Sequence, residues 1–146
     1  MKVDIHQGSL INITQDGILL LRCKQANKWR VITDVYQSEK LIFRTGLQEW
    51  FNNVRIYYQD LPDMIEVGRQ NGMTTLYYRE HLLQIKFRFR KPHIVLYKDG
   101  DQIAWFNFKK GIYFAERFLY GEIDSDDEET RLYCLLLFIM RLPKLG

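Results

Sequence analysis

The chain has few of the residues that usually carry chemistry. Its 146 residues include only two cysteines, Cys23 and Cys134, and only three serines. The cysteines lie far apart without metal-ligand spacing, so we predict that both are small buried residues and that the protein holds no metal and no cofactor. No serine stands in a nucleophile elbow, and the chain has no P-loop and no dinucleotide-binding glycine pattern. We therefore predict that the protein is not an enzyme; an enzyme without a recognisable motif is the alternative.

Long hydrophobic runs are also missing. The first residues contain no apolar core of a secretory signal, and the apolar runs at residues 18–21 and 132–140 are far shorter than the roughly 20 residues of a membrane span. We expect no transmembrane segment. Together with the unpaired cysteines, this predicts a cytoplasmic location, in which any membrane contact would be peripheral.

The overall composition is that of an ordinary globular protein. Hydrophobic residues make up 47% and charged residues 27%, and the net charge is +3. A chain of this length and balance predicts one domain over residues 1–146 with a substantial core. The small net charge does not by itself indicate nucleic acid as a partner, so the distribution of the charges matters more.

The last part of the chain predicts a helix over about residues 126–142. Every residue from 132 to 140 is apolar, and a cluster of carboxylates precedes this run, where they complement the positive end of a helix dipole. Ser125 and Glu128 have the spacing of a capping box, and Pro143 ends the helix. A helix that is apolar all round must be buried on every side.

The rest of the chain predicts short antiparallel strands between about residues 9 and 123. Aromatic and β-branched segments alternate with turn signals about every ten residues, which is typical of all-β proteins. We predict strands at residues 9–13, 18–24, 28–33, 40–45, 54–59, 64–67, 74–79, 83–90, 93–98, 102–108 and 112–123, with residues 47–53 undecided. Hairpin turns are predicted at Asp16-Gly17, Asn71-Gly72 and Asp99-Gly100. Only a closed or nearly closed barrel of about twelve strands covers the C-terminal helix on all sides, so the fold class is a mainly β barrel that encloses this helix.

The segment Lys98-Asp-Gly-Asp-Gln-Ile-Ala-Trp-Phe-Asn-Phe-Lys-Lys110 is followed by an aromatic strand, an acidic link and a leucine-rich helix. This order resembles the final part of the tubby C-terminal-like superfamily, which includes the tubby proteins, phospholipid scramblases and LURP-one-related proteins, and it indicates a member of the bacterial type. The resemblance covers residues 98–142 and implies a barrel threaded by its last helix. Two features depart from known sites: the acidic link has Glu129 where a calcium loop needs glycine, and the phosphoinositide-binding residues of tubby proteins cannot be aligned here.

The strongest candidate site is a basic cluster between His81 and Arg117, a stretch that also includes Lys98. Alternation in residues 83–90 predicts that Phe87 and Phe89 face the interior, while Lys86, Arg88 and Arg90 share an outer strand face. The candidate anion-binding or lipid-binding residues are Lys86, Arg88, Arg90, Lys91, Lys109 and Lys110.

From this cluster we predict a non-enzymatic binding module that engages anionic lipid headgroups or a membrane surface through a basic strand face. One alternative is a protein-interaction or scaffold domain without a small ligand, in which the charges only keep an outer face solvated. The other is a nucleic-acid-binding barrel. Scattered basic side chains would favour the scaffold, and exposed aromatic residues within the cluster would favour nucleic acid.

Overall fold

Twelve strands and one helix make up the described part of the chain, residues 1–27, 29–48, 53–109 and 116–144 of a computed structural model. The strands are β1 (Lys2–Gln7), β2 (Ile11–Gln15), β3 (Ile18–Asn27), β4 (Val31–Gln37), β5 (Lys40–Gln48), β6 (Asn53–Gln59), β7 (Glu66–Gln70), β8 (Met73–Tyr78), β9 (His81–Phe87), β10 (Ile94–Lys98), β11 (Asp101–Phe108) and β12 (Arg117–Ile123). The helix α1 spans Glu128–Met140.

The strands form one antiparallel sheet that curls into a nearly closed barrel. Apart from β6 and β7, every strand pairs with its neighbours in sequence, and β1 pairs with β12, so that Val3 lies opposite Gly121. The two edges of the sheet are therefore β6 and β7, in the middle of the chain. The side chain of Gln59 closes part of this seam, because its Oε1 accepts from the Ile65 amide at 2.8 Å and its Nε2 donates to the Ile65 carbonyl at 3.1 Å.

The three predicted hairpin turns are confirmed. Asp16, Asn71 and Asp99 have φ values of 51°, 53° and 51°, and the glycine after each also has a positive φ. Two-residue turns of this kind match the right-handed twist of the strands, but they need a left-handed backbone at both positions, which aspartate or asparagine followed by glycine adopts at low cost.

The helix runs through the barrel and is buried on all sides, as predicted. All eight residues from Tyr133 to Met140 are almost completely excluded from solvent. The ring of Phe138 lies 5.1 Å from that of Phe106 on β11, and the ring of Tyr133 lies 4.6 Å from that of Tyr78 on β8. Strands from different parts of the barrel thus contribute the wall that an all-apolar helix requires.

The start of the helix differs from the predicted capping box. The N-cap is Asp127, whose carboxylate accepts from the Thr130 amide at 3.2 Å and from the Thr130 hydroxyl at 2.7 Å. Ser125 instead accepts from the Asp127 amide at 3.1 Å, one step before the helix. Aspartate caps a helix as well as serine does, and Thr130 gives this carboxylate a second donor, so the helix begins about two residues later than predicted. It also ends two residues earlier, at Met140.

Several strand boundaries are also corrected. Strand β1 was not predicted, although Val3, Ile5 and Gln7 are buried in alternation; the inward-facing glutamine and the polar neighbours hide this alternation in the sequence. The strand predicted at 28–33 is shifted to Val31–Gln37, and the strand predicted at 83–90 ends at Phe87. Parts of the predicted segments 47–53 and 112–123 lie outside the described residues.

Candidate functional site

The topology of the barrel sorts the connections between strands onto two ends. In an antiparallel meander, consecutive connections lie at opposite ends of the barrel. The turns after β2, β4, β6, β8 and β10, together with residues 124–127 before the helix, lie at one end. The connections after β1, β3, β7, β9 and β11, together with residues 141–144 after the helix, lie at the other end.

The first of these ends, here called the acidic end, carries mostly carboxylates. Its connections contain a single basic residue, Arg79, within the described part of the chain. Nine acidic residues stand against it: Asp16, Glu39, Asp60, Asp63, Glu80, Asp99, Asp124, Asp126 and Asp127.

The second end, here called the basic end, has the opposite charge. Glu116 is the only acidic residue among the described residues of its connections. Seven basic residues lie there: Arg30, Arg88, Arg90, Lys91, Lys109, Arg141 and Lys144. A net charge of +3 therefore hides a strong polarity along the barrel axis.

Hydrogen bonds fix the helix between the two ends. At the acidic end, the Tyr133 hydroxyl donates to the Asp63 carbonyl at 2.8 Å and accepts from the Asp63 amide at 2.9 Å. At the basic end, Gln25 Nε2 donates to the Leu142 carbonyl at 3.1 Å, and Gln7 Nε2 donates to the Pro143 carbonyl at 2.6 Å. Backbone carbonyls just past the end of the helix are thus held by a buried side chain of β1 and a half-buried side chain of β3.

The loop between β9 and β10, residues 88–93, carries the centre of the predicted cluster. A backbone hydrogen bond closes the base of this loop, in which the Arg88 amide donates to the His93 carbonyl at 2.7 Å. The His93 amide in turn donates to Asn107 Oδ1 on β11 at 3.0 Å, which ties the loop to the neighbouring hairpin. Arg88, Phe89, Arg90 and Lys91 project from this fixed base and are all exposed.

The predicted burial of Phe87 and Phe89 is wrong. Phe89 is 106% exposed and Phe87 is 44% exposed. Alternation keeps Leu83 and Ile85 inside, but β9 ends at Phe87, so the alternating pattern does not extend to Phe89. Phe87 lies at the rim, where the guanidinium carbon of Arg141 sits 5.1 Å above its ring.

The predicted site residues are only partly brought together. Lys86 lies on the outer face of β9, whereas Arg88, Arg90 and Lys91 lie in the loop, so the predicted basic strand face is in fact a basic loop. None of these four residues forms an ion pair with a carboxylate of the described chain. The remaining two candidates differ: Lys109 lies at the same end but pairs with Asp4 at 3.4 Å, and Lys110 lies outside the described residues.

Sequence reasoning also misplaced one basic residue and missed others. Lys98 lies at the acidic side of the barrel, where its Nζ donates to the Thr130 hydroxyl at 3.0 Å. Arg30, Arg141 and Lys144 join the basic end, although they lie far from residues 81–117 in the sequence. Burial lowers the pKa of Arg141, but a guanidinium stays charged at neutral pH.

Trp29 is, like Phe89, an aromatic residue exposed at the basic end, and its exposure was not predicted from the sequence. It is 98% exposed in the connection between β3 and β4, at the basic end, next to Arg30. The signal that could have identified it is its position between Lys28 and Arg30, since a tryptophan between two cations is an unusual core residue.

A partly exposed ionic cluster closes the acidic end, with Arg79 largely in solvent and Glu129 the most shielded member. Arg79 Nε lies 2.6 Å from Asp63 Oδ2, and Arg79 Nη2 lies 3.0 Å from Glu129 Oε2. Burial and a hydrogen bond with Asp63 raise the pKa of Glu129, while the hydrogen bond with Glu129 and then Arg79 lower the pKa of Asp63. The cluster ties the loop between β6 and β7 to the first turn of the helix, which is a structural role.

A cavity of about 560 Å³ lies beside this cluster, between the start of the helix and strands β2 to β4. Leu20, Pro62, Leu132 and Leu135 provide its apolar walls, and Glu129 lies at its polar side. Among the described residues, no histidine, cysteine or serine lines it. Within the described ranges, no three histidine, cysteine or acidic side chains are grouped so as to hold a metal ion.

Comparison of the chain with protein-family models, curated proteins and solved structures found no match. The similarity to the tubby C-terminal-like superfamily therefore stays a prediction. No helix in the described part of the chain has the length and apolar character needed to cross a membrane.

Proposed function

We propose that the protein is a peripheral binding module for anionic phospholipid surfaces and that it makes contact through its basic end. The observation that carries this proposal is the opposite charge of the two ends of one barrel. A negatively charged surface attracts the basic end and repels the acidic end, so the charge distribution selects both the partner and the orientation.

The strength of this attraction follows from the exposed cations. Lys86, Arg88, Arg90 and Lys91 are exposed and form no ion pair with a described carboxylate, so their charge is available to a partner. Each basic residue near an anionic membrane contributes about 1 kcal/mol, so the four together contribute about 4 kcal/mol. Salt screens this contribution, because the Debye length is only about 8 Å at physiological ionic strength.

The distribution of charges and exposed aromatic residues argues against the scaffold alternative and keeps the nucleic-acid alternative as a second candidate. The basic residues gather at one end and are not scattered, which disfavours a scaffold whose charges only maintain solubility. Phe89, exposed within the basic loop, is the observation that favours single-stranded nucleic acid as a second candidate partner, since exposed aromatic rings can stack on bases. Membership of the tubby-like superfamily, which we propose on sequence grounds, supports a phospholipid partner.

Co-sedimentation with vesicles tests the proposal. We expect the protein to pellet with vesicles that contain phosphatidylserine, not with phosphatidylcholine alone, and less at 300 mM than at 50 mM salt, conditions that span roughly a twofold change in Debye length. The triple variant Lys86→Glu, Arg88→Glu, Arg90→Glu should abolish pelleting.

The matched control reverses three exposed cations on outer strand faces, Lys2→Glu, Lys24→Glu and Arg55→Glu, and so changes the net charge by the same amount. If the control loses binding as much as the loop variant does, net charge and not the basic end is responsible. If native protein pellets with neither kind of vesicle, the proposed function is wrong.

A further inference from the structure

We infer that the barrel docks on the membrane end-on and that Phe89 and Trp29 insert into the interfacial region of the bilayer as two separate anchors. This inference rests on the proposed function and adds its geometry: which side chains enter the lipid, and how the barrel axis stands relative to the membrane.

Phe89 has the properties of an insertion residue. Its ring is 106% exposed, so it contributes no packing to the fold. Three cations, Arg88, Arg90 and Lys91, surround it in the same loop, and the loop base is fixed by the hydrogen bonds of His93. Cations that contact lipid phosphates would bring this ring to the depth at which aromatic side chains partition into a bilayer.

Trp29 lies across the barrel from Phe89. The β3–β4 connection and the β9–β10 loop are six strand positions apart in a ring of twelve strands, so they face each other at the basic end. With neighbouring strands about 4.8 Å apart, twelve strands give a circumference of at least about 58 Å and a diameter of at least about 18 Å, and the tilt of strands in a barrel widens both. Two exposed aromatic residues therefore mark opposite sides of one rim.

This separation favours a flat surface over a nucleic-acid strand. Stacking on single strands uses aromatic side chains that receive successive bases along a groove. Phe89 and Trp29 are too far apart for neighbouring bases. The ring of Phe87, which could have extended a platform next to Phe89, has one face occupied by the Arg141 guanidinium. A bilayer is wide enough to receive both anchors at once, while the cations of the rim contact headgroups between them.

Exposure alone does not define this surface. Met64 is 80% exposed at the acidic end, in the loop between β6 and β7, and Ile18 is exposed after the first tight turn. Asp63 precedes Met64 and Asp16 lies two residues before Ile18, so both apolar side chains belong to the end that an anionic membrane repels. The charge of each end decides which of its exposed apolar residues can meet the lipid.

Site-specific labelling tests the insertion. Cys23 and Cys134 are buried, and burial raises the pKa of each thiol to about 12, so neither should react with a maleimide in the folded protein. We would introduce one cysteine at a time, as Phe89→Cys, Trp29→Cys or Met64→Cys, and attach the environment-sensitive dye NBD. With vesicles of phosphatidylcholine and phosphatidylserine, NBD emission at positions 89 and 29 should rise and shift to the blue, while position 64 should not change.

Emission that changes at position 64 as much as at 89 and 29 would overturn the end-on orientation. A change at position 89 without one at 29 would overturn the two-anchor geometry. Nitroxide-labelled lipids should quench the dye at 89 and 29 only, which checks that the emission reports contact with lipid.

Substitution of Phe89 then separates insertion from stacking. Phe89→Leu keeps an apolar side chain and should bind anionic vesicles within about threefold of native protein. Phe89→Ser should bind about tenfold more weakly or worse, because the apolar side chain is lost. The salt dependence of the serine variant should match that of native protein, because no charge has changed.

These results distinguish the inference from the proposed function. If native protein does not bind anionic vesicles, the proposed function fails and the insertion with it. If native protein binds and Phe89→Ser binds equally well, the insertion alone is overturned. Binding of fluorescent single-stranded DNA that exceeds vesicle binding, is lost in Phe89→Leu and is kept in Phe89→Tyr would assign the surface to nucleic acid instead.

Discussion

The helix at the barrel axis can be tested with a titratable probe at Leu136. This residue has no exposed surface and lies in the middle of the apolar segment. Removal of the leucine side chain costs about 2–5 kcal/mol. An introduced carboxyl in Leu136→Asp has no partner there, so it must fold in its neutral form; at pH 7 this costs about 4 kcal/mol relative to its ordinary pKa of about 3.9. The sum of about 6–9 kcal/mol is comparable to the whole stability of a domain.

The matched variant is Leu136→Asn, which has nearly the same size and hydrogen-bonding groups but does not titrate. The folded-state pKa of the introduced carboxyl is raised, so its penalty is absent below the unfolded pKa and grows as the pH rises above it. Measured by urea unfolding at pH 7, 5.5 and 4, the aspartate variant should approach the asparagine variant at pH 4 and fall below it at pH 7. An aspartate variant that folds with native stability at pH 7 would refute the enclosed helix.

Two further predictions concern the barrel wall and the start of the helix. Gly121→Ala places a methyl group 2.2 Å from the Trp105 carbonyl oxygen and 2.3 Å from Phe106 Cδ1. Urea unfolding should therefore show a free energy of unfolding lower by about 1–3 kcal/mol or more. The control is Gly68→Ala, whose added methyl group has its nearest neighbour at 3.4 Å and should change this free energy little. Asp127→Ala removes the N-cap and should cost about 1 kcal/mol at pH 7, and Asp126→Ala serves as the exposed control. The hydrogen bond from Thr130 lowers the pKa of Asp127. The stabilisation by the N-cap is therefore present above the unfolded pKa and is lost as the pH falls through the folded pKa. An Asp127→Ala effect of equal size at pH 2 and pH 7 would contradict this account.

The parts of the fold that the sequence predicted depend on strong local signals. The helix follows from an apolar run with a charged start and a proline stop, and the hairpins follow from aspartate or asparagine before glycine. The barrel was inferred from the helix, since a helix without a polar face needs a closed wall. Each step uses a pattern in which one structure is much more stable than its competitors.

The errors arise where tertiary context overrides the local pattern. Phe87 and Phe89 continue a strict alternation, but the strand ends at Phe87, and nothing in the local sequence marks this end before Pro92. Gln7 is fully buried because it donates to the Pro143 carbonyl at the end of a helix more than 130 residues away, and that partner is invisible in the pattern of β1. A distant acceptor of this kind satisfies the Gln7 Nε2 donor, although Gln7 Oε1 has no partner among the described residues, and such long-range partners blur strand signals.

The candidate surface shows why sequence clustering and spatial clustering differ in a meander barrel. Lys91 and Lys98 are seven residues apart and belong to the same predicted cluster, yet Lys91 precedes β10 and Lys98 is its last residue, so this strand places them at opposite ends. Lys144 and Arg30 are more than a hundred residues apart and share one end. In such a fold, the end at which a loop charge lies depends on the strand that its connection follows. Connections after odd-numbered strands lie at the basic end, and connections after even-numbered strands lie at the acidic end. Counted this way, a chain with a small net charge separates into one acidic and one basic end, and the membrane-binding proposal depends on that separation more than on any single residue.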